Sequence, residues 1–423
     1  MKKICIYQVL PRFWGKGKFS DWKSESFEYV KSLGIDHIWF TGVIRHASGQ
    51  SFVKGDPGCP YSISDYYDVN PYLAENEDER MREFDGLLKR THKAGLKVLI
   101  DFVPNHIACN YADEHGGIPH FDYCDYDWTD TLKIDYSNPR TREAMLSILR
   151  FWARRGVDGF RCDMVELVPV EFFGWAVSEL KKEYPELTFV AEVYEKGNYS
   201  RYLNEGHFDL LYDKSGIYDT LRGIVCNGES AEGITRNWQW LGEMQPRMLN
   251  FLENHDEQRL ASRFFAGSAE KGYAALAAAA LFNDASFMLY AGQETGEDAT
   301  GTDNGRTSIF NRTKVEVMEK RRGNKVLKRY REILSLLSNP AFKDGGNWDL
   351  CYCNTSENGF DVRRHFAFLR FKGDEKWLTV CNFSGDRCKM DINIPEEAAV
   401  AGGLHPCRVP VEISPFDAVT LRL

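Results

Sequence analysis

The chain has 423 residues, of which 43% are hydrophobic, and its formal net charge is −9. This length allows one large barrel and a small second domain, and the acidic balance disfavours nucleic acid or an anionic membrane as a partner. The eleven cysteines lack the spacing of a zinc site, which indicates reduced thiols and a cytoplasmic location. No apolar run is long enough to predict a transmembrane helix.

Short apolar segments alternate with segments of helical periodicity through the first 340 residues. The first predicted strand covers residues 4–10, a helix follows over 24–33, and the second strand covers 35–40. The helix over 78–94 precedes a third strand at 97–103, a continuous apolar run of the kind that parallel sheets bury on both faces. The later predicted strands are 157–160, 187–192, 207–212, 248–253 and 286–290, and the later predicted helices are 138–155, 169–183, 271–282 and 326–337.

Eight strands that alternate with helices predict a parallel (β/α)8 barrel of the TIM type, in the α/β class. The irregular stretch after the third strand is an insertion, and the short strands after residue 340 are separated by Gly, Asp, Asn and Pro, as in an antiparallel β domain. The predicted domains are a barrel over 1–106 and 138–340, a short insertion over 107–137, and a C-terminal antiparallel β-sandwich domain over 341–423.

The fourth strand delivers Arg161 and Asp163 to its C-terminal end. Their side chains point to the same side of the strand, because they stand two residues apart. The guanidinium favours the ionised aspartate, and an ionised, poorly solvated aspartate is what a covalent nucleophile requires. Taken alone, the pair fits a structural ion pair that closes the strand equally well.

Carboxylate, imidazole and other polar side chains also follow the third, fifth and seventh strands. In a barrel of this kind these strand ends meet at one mouth, where active sites lie. Two chemistries use such a cluster, divalent-metal chemistry and glycoside cleavage by two carboxyl groups, and the residue types leave both open. The residues are Asp101, Asn105, His106, Glu192, Tyr194, His255 and Asp256.

Four segments resemble the signature regions of the α-amylase superfamily, glycoside hydrolase family 13, in the order and at the spacing of that family. They read DFVPNH at 101–106, GFRCD at 159–163, VAEV at 190–193 and FLENHD at 251–256. The segment 61–67 is similar to the tyrosine segment of the family, and 292–294 to its segment after the eighth strand. The resemblance covers essentially the whole chain and implies a catalytic barrel, a domain B insertion after the third strand, and a C-terminal domain C.

The resemblance also implies roles for individual residues. Asp163 would be the nucleophile, Glu192 the general acid and base, and Asp256 the third carboxylate, which binds and distorts the sugar. The residues that would bind the substrate or support the acids are Tyr61, Asp101, His106, Arg161, Tyr194 and His255.

These roles predict a retaining α-glycosidase that hydrolyses α-glucosidic bonds in oligosaccharides or α-glucans through a covalent β-glycosyl-aspartate. The expected partner is an α-linked gluco-oligosaccharide, and the expected state is a monomer. Apolar neighbours of Glu192 would raise its pKa, so this residue would set the alkaline limit of activity. The alternatives are a glucosyl transferase or phosphorylase on the same scaffold, a catalytically silent sugar-binding relative, and a metal-dependent barrel enzyme.

The segment after Asp163 departs from many starch-cleaving members of the family. These carry Lys-His where this chain has Glu166 and Leu167. Of the residues that the resemblance implies for a structural calcium site, Asn105 is the one clear match. We therefore expect no required cofactor and no structural calcium. Aromatic residues near the mouth, such as Trp128, could stack on sugars, although packing is the commoner role.

Overall fold

The structure, a computed structural model, describes residues 2–112, 117–312 and 314–423. The described strands are β1 (Cys5–Val9), β2 (His37–Phe40), β3 (Ile44–His46), β4 (Ile63–Val69), β5 (Lys97–Phe102), β6 (His106–Ala108), β7 (Thr131–Lys133), β8 (Gly159–Cys162), β9 (Thr188–Ala191), β10 (Leu210–Tyr212), β11 (Met248–Phe251), β12 (Ser286–Tyr290), β13 (Gly346–Asp349), β14 (His365–Lys372), β15 (Glu375–Asn382), β16 (Cys388–Ile394), β17 (Cys407–Ile413) and β18 (Ala418–Arg422).

The described helices stand mostly between the strands and after the last barrel strand. They are α1 (Ser24–Lys31), α2 (Arg80–Lys93), α3 (Pro139–Arg155), α4 (Val170–Glu183), α5 (Tyr199–Asn204), α6 (Asp219–Asn227), α7 (Glu232–Leu241), α8 (Tyr273–Leu281), α9 (Lys325–Leu334), α10 (Pro340–Asp344) and α11 (Glu396–Gly402). Within the described ranges, none of them combines the length and apolar character that a bilayer crossing requires.

Eight parallel strands close into a barrel in the order β1, β2, β5, β8, β9, β10, β11 and β12, with β12 beside β1. Each strand pairs with the strand that follows it around the ring, so all eight carboxyl ends meet at one mouth. The predicted barrel is confirmed. In this ring β9 lies opposite β1, and β1 is flanked by β2 and β12.

The segment that leads into β8 shows how local sequence positions the mouth. Helix α3 begins at Pro139, and the side chain of Asn138 accepts a hydrogen bond from the backbone N–H of Arg140 at 3.1 Å. The helix ends at Arg155, and the next residue, Gly156, has a φ of 97°, a left-handed conformation that glycine adopts without strain. All four residues of β8 are buried, as expected for a strand covered on both faces.

The insertion between β5 and α3 contains a small antiparallel sheet. β6 pairs with β7, and His106 stands opposite Lys133. The sequence gives no clear sign of this sheet, because three-residue strands are too short to show a period. Residues 113–116, also part of the predicted domain B, lie outside the described residues.

The C-terminal region is antiparallel, and the predicted C-terminal β domain is confirmed. β13, β14, β15 and β18 form one sheet in that order, and β16 pairs with β17 in a second sheet. Phe366 and Phe368 pack on Phe282, with ring centroids 4.8 and 5.2 Å away. The buried Arg370 donates to the Asp284 carboxylate at 2.7 Å, which links this sheet to the segment between α8 and β12.

Candidate active site

The side chain of Arg161 lies at the centre of the barrel mouth and is 1% exposed. Its Nη1 donates to Oδ1 of Asp163 at 2.6 Å and lies 3.8 Å from Oδ1 of Asp101. Its Nη2 contacts Oε1 of Glu192. The rings of Trp39, Tyr61 and Tyr212 surround the guanidinium, with centroids 5.2–5.6 Å from its central carbon. One buried cation therefore faces three carboxyl groups.

Asp163 directly follows the last residue of β8, and its side chain is buried. Burial raises the pKa of its carboxyl to about 6, although the Arg161 guanidinium acts in the opposite direction. The sequence correctly predicts the contact with Arg161 and the direction of its effect, but burial outweighs that effect. Asp163 is still mainly ionised at neutral pH.

Glu192 follows β9, and its two oxygens have different donors. Oε2 accepts the backbone N–H of Met164 at 2.8 Å, and Oε1 accepts the hydroxyl of Tyr194 at 2.8 Å. Burial raises the pKa of Glu192 to about 7; Arg161 opposes this rise, and the negative charge of Asp163 adds to it. The expected upward shift is confirmed, and Glu192 holds its proton to higher pH than Asp163.

A hydrogen-bonded network connects Asp256, the third acid, to Asp101 through His255 and Tyr61. His255 Nε2 lies 3.1 Å from Oδ2 of Asp256 and 2.6 Å from the Tyr61 hydroxyl, which donates to Oδ1 of Asp101 at 3.2 Å. The rings of Tyr61 and His255 are stacked, with centroids 5.2 Å apart. Burial lowers the pKa of His255 well below its usual range, so the imidazole is neutral.

Gln8 completes this network, and the sequence analysis missed it. Its Nε2 lies 2.7 Å from Nδ1 of His255 and 3.1 Å from the Thr41 hydroxyl. A donor at Nδ1 leaves Nε2 of His255 as the protonated nitrogen, which faces Asp256 and Tyr61. The one available signal was a polar residue in an otherwise apolar first strand.

The mouth contains a cavity of about 270 Å³. Seven of the nine predicted site residues line it: Tyr61, His106, Asp163, Glu192, Tyr194, His255 and Asp256. Arg161 and Asp101 are not among the lining residues and contact the acids or Tyr61 instead. The other lining residues lie outside the four signature segments, and they are Lys54, Cys59, Asp127, Trp128, Asp130, Thr131, Met164, Ile309 and Phe310.

The residues around Asn105 do not fit a calcium ion. Its Nδ2 donates to Oδ2 of Asp125 at 2.9 Å, and Lys133 Nζ donates to both oxygens of that carboxylate at 2.8 and 3.0 Å. The lysine ammonium thus stands where a cation would have to bind Asp125. Within residues 2–112, 117–312 and 314–423, no group of three or more His, Cys, Asp or Glu side chains is placed to hold a metal.

The family model of the alpha-amylase catalytic domain matches residues 20–133 and 122–349 of this chain. Alpha-amylase 3 of Dictyoglomus thermophilum is 24% identical over 323 aligned residues, covering 66% of this chain and 60% of that protein. An alpha-1,4-glucan:maltose-1-phosphate maltosyltransferase of Cereibacter sphaeroides is 27% identical over 251 residues, covering 51% of this chain and 40% of that protein. The chain therefore spans less than two thirds of either relative.

The fold agrees with these matches. The crystal structure of a maltogenic alpha-amylase, AmyB from Thermotoga neapolitana, superposes with a TM-score of 0.74 at 23% identity, over 99% of this chain and 96% of that chain. The four segments that carry the resemblance stand at the ends of β5, β8, β9 and β11. This chain belongs to the α-amylase family, glycoside hydrolase family 13.

The Lys133 contact predicts a fold that does not depend on calcium. Addition of EDTA should leave the Tm of the wild-type protein unchanged, whereas Lys133→Met should lose roughly 1–2 kcal/mol, about 1–2 °C in Tm for a chain of this length, because Asp125 keeps its charge without its cation. Thermal denaturation with and without EDTA measures both effects. Lys389→Met, at an exposed lysine of β16, is the control. A clear fall in wild-type Tm on chelation would contradict this expectation.

Proposed function

We propose that the protein is a retaining α-glycosidase that hydrolyses α-glucosidic bonds in oligosaccharides or α-glucans. The observation that carries this proposal is the pair of buried acids, Asp163 and Glu192, which contact one guanidinium and line one cavity together with Asp256. Their pKa values, about 6 and about 7, suit one ionised and one protonated carboxyl at neutral pH. A retaining glycosidase needs this combination.

In the first step, a carboxylate oxygen of Asp163 attacks the anomeric carbon of the bound sugar. The bond from that carbon to the glycosidic oxygen breaks, and Glu192 gives its proton to the departing oxygen. A covalent β-glycosyl-Asp163 and a free sugar hydroxyl result. The Arg161 contact fixes the carboxylate of Asp163 for this attack.

In the second step, Glu192 acts as the base. It takes a proton from a water molecule, whose oxygen bonds to the anomeric carbon as the bond to Asp163 breaks. Asp163 returns to the carboxylate form, Glu192 regains its proton, and the product keeps the α configuration. Each acid is restored after one turnover.

Three further side chains in the cavity are suited to sugar hydroxyls. Asp256 supplies a carboxylate that is 39% exposed and borders neutral His255. Burial also lowers the pKa of His106 to about 4, so this imidazole is neutral and presents both a donor and an acceptor nitrogen. The third carboxylate would support the positive charge that develops on the sugar.

A transferase is the second candidate function, and it is favoured by the maltosyltransferase among the relatives. It would share the first step and differ in the second, where a sugar hydroxyl or phosphate replaces water. A cytoplasmic location and a monomeric state, both predicted from the sequence, belong to the proposal as well.

The two acids predict a bell-shaped pH dependence. Activity should fall on the acidic side as Asp163 gains a proton near pH 6, and on the alkaline side as Glu192 loses its proton near pH 7. In Tyr194→Phe the alkaline limb should move to higher pH, because the lost hydrogen bond favoured ionised Glu192. Profiles of kcat/KM against pH measure this. Tyr352→Phe, at an exposed tyrosine, should leave both limbs in place; a flat profile from about pH 5 to 9 would contradict the assignment.

Replacement of the nucleophile predicts loss of cleavage. Asp163→Asn should reduce kcat by roughly 10³-fold or more, whereas Asp391→Asn, at an exposed aspartate of β16, should stay close to wild type. The measurement is product analysis on maltose, maltotriose, isomaltose, panose, trehalose, sucrose and soluble starch. Undiminished activity of Asp163→Asn would refute the nucleophile. Products that form only with an added sugar or phosphate acceptor would favour the transferase.

A further inference from the structure

The positions of the acids around the barrel orient the substrate. Glu192 follows β9 and gives its proton to the leaving oxygen, so the leaving part of the chain extends on the β9 side. The retained part, the glycone, then points toward the opposite side of the ring, where β1 lies between β2 and β12. The segments that follow β2 and β12 leave the ring on the two sides of β1, and they include residues 47–62 after β3 and residues 291–312 after β12.

These two loops are in direct backbone contact. Pro57 and Asn311 form an isolated antiparallel bridge. A Cβ atom added at Gly55 would lie 2.1 Å from the carbonyl oxygen of Phe310, so the glycine permits an approach that a side chain would prevent. Arg312 Nε lies 3.3 Å from Oδ2 of Asp56. Residues 55–57 and 310–312 therefore pack directly against each other.

Lys54 joins the same loop to the insertion. Its Nζ donates to the carbonyl oxygen of Asp127 at 3.3 Å and lies 3.9 Å from Oδ1 of Asp130, a residue that is 2% exposed. Lys54, Asp127, Asp130 and Phe310 all line the cavity. Residues 54–57, 127–130 and 309–312 thus form one continuous rim, which we call the glycone wall.

We propose that the glycone wall closes the cavity at the non-reducing end of the substrate. The pocket then accepts a chain terminus, and the enzyme removes short units from the non-reducing ends of α-gluco-oligosaccharides instead of cleaving within long α-glucans. The backbone bridge and the ion pairs of the wall support this, because they connect its three segments to one another. This inference rests on the proposed function.

The test compares maltoheptaose with the same oligosaccharide blocked by a 4,6-O-acetal on its non-reducing glucose. The wild-type enzyme should cleave the free substrate, and kcat/KM on the blocked one should be at least about 100-fold lower, because the acetal meets the wall. Chromatography of the products gives both rates. Equal cleavage of the two substrates would overturn the wall and leave the glycosidase intact. Cleavage of neither would overturn action on the ends of these oligosaccharides, and the glycosidase itself would be refuted only if no substrate of the panel above were cleaved either.

A variant locates the effect in the wall residues. The double substitution Lys54→Ala and Phe310→Ala removes two lining side chains. The ratio of kcat/KM on the free substrate to kcat/KM on the blocked one should therefore fall by about 10-fold or more. The matched control is Lys389→Ala with Tyr352→Ala, two exposed residues of the C-terminal region, which should discriminate as wild type does. A folded double variant that discriminates as strongly as wild type would overturn the assignment of the wall to these residues.

Discussion

The buried charge of Arg161 is the constraint on which the rest of the mouth depends. A guanidinium that is 1% exposed is stable only when carboxylates surround it, and removal of one partner of a buried pair typically costs about 3–5 kcal/mol. The partners come from three neighbouring strands. Asp101 pairs in register with Arg161, and β9 brings Glu192 beside β8. The closed parallel barrel and the site chemistry therefore depend on each other.

The two carboxyl groups differ although the same guanidinium contacts both. Burial raises the pKa of both Asp163 and Glu192, and Arg161 opposes the rise in both. Glu192 also feels the negative charge of Asp163, so it keeps its proton to higher pH. Because the protein and not the solvent sets this order, the two acids can take different roles in one water-poor site.

The barrel and the acids could be predicted from sequence because both depend on local patterns. Buried parallel strands are continuous apolar runs, and acids directly after such runs must meet at one mouth. Gln8, the β6–β7 sheet and the glycone wall could not be predicted, because each depends on contacts between segments that carry no motif. Lys54 and Phe310, for example, are 256 positions apart in the sequence. The Lys133–Asp125 contact likewise could not be predicted. The poor match to the calcium site of the family, in contrast, was visible in the sequence.

The central claim is that Asp163 forms a covalent bond to the sugar. The most direct measurement uses an activated fluorinated α-glucosyl fluoride, which slows the second step and lets the intermediate accumulate. Mass spectrometry of the intact protein should then show one added fluoroglucosyl group, and peptide mapping should place it on Asp163. A label on another residue, or turnover of the reagent with inversion at the anomeric carbon, would contradict the account.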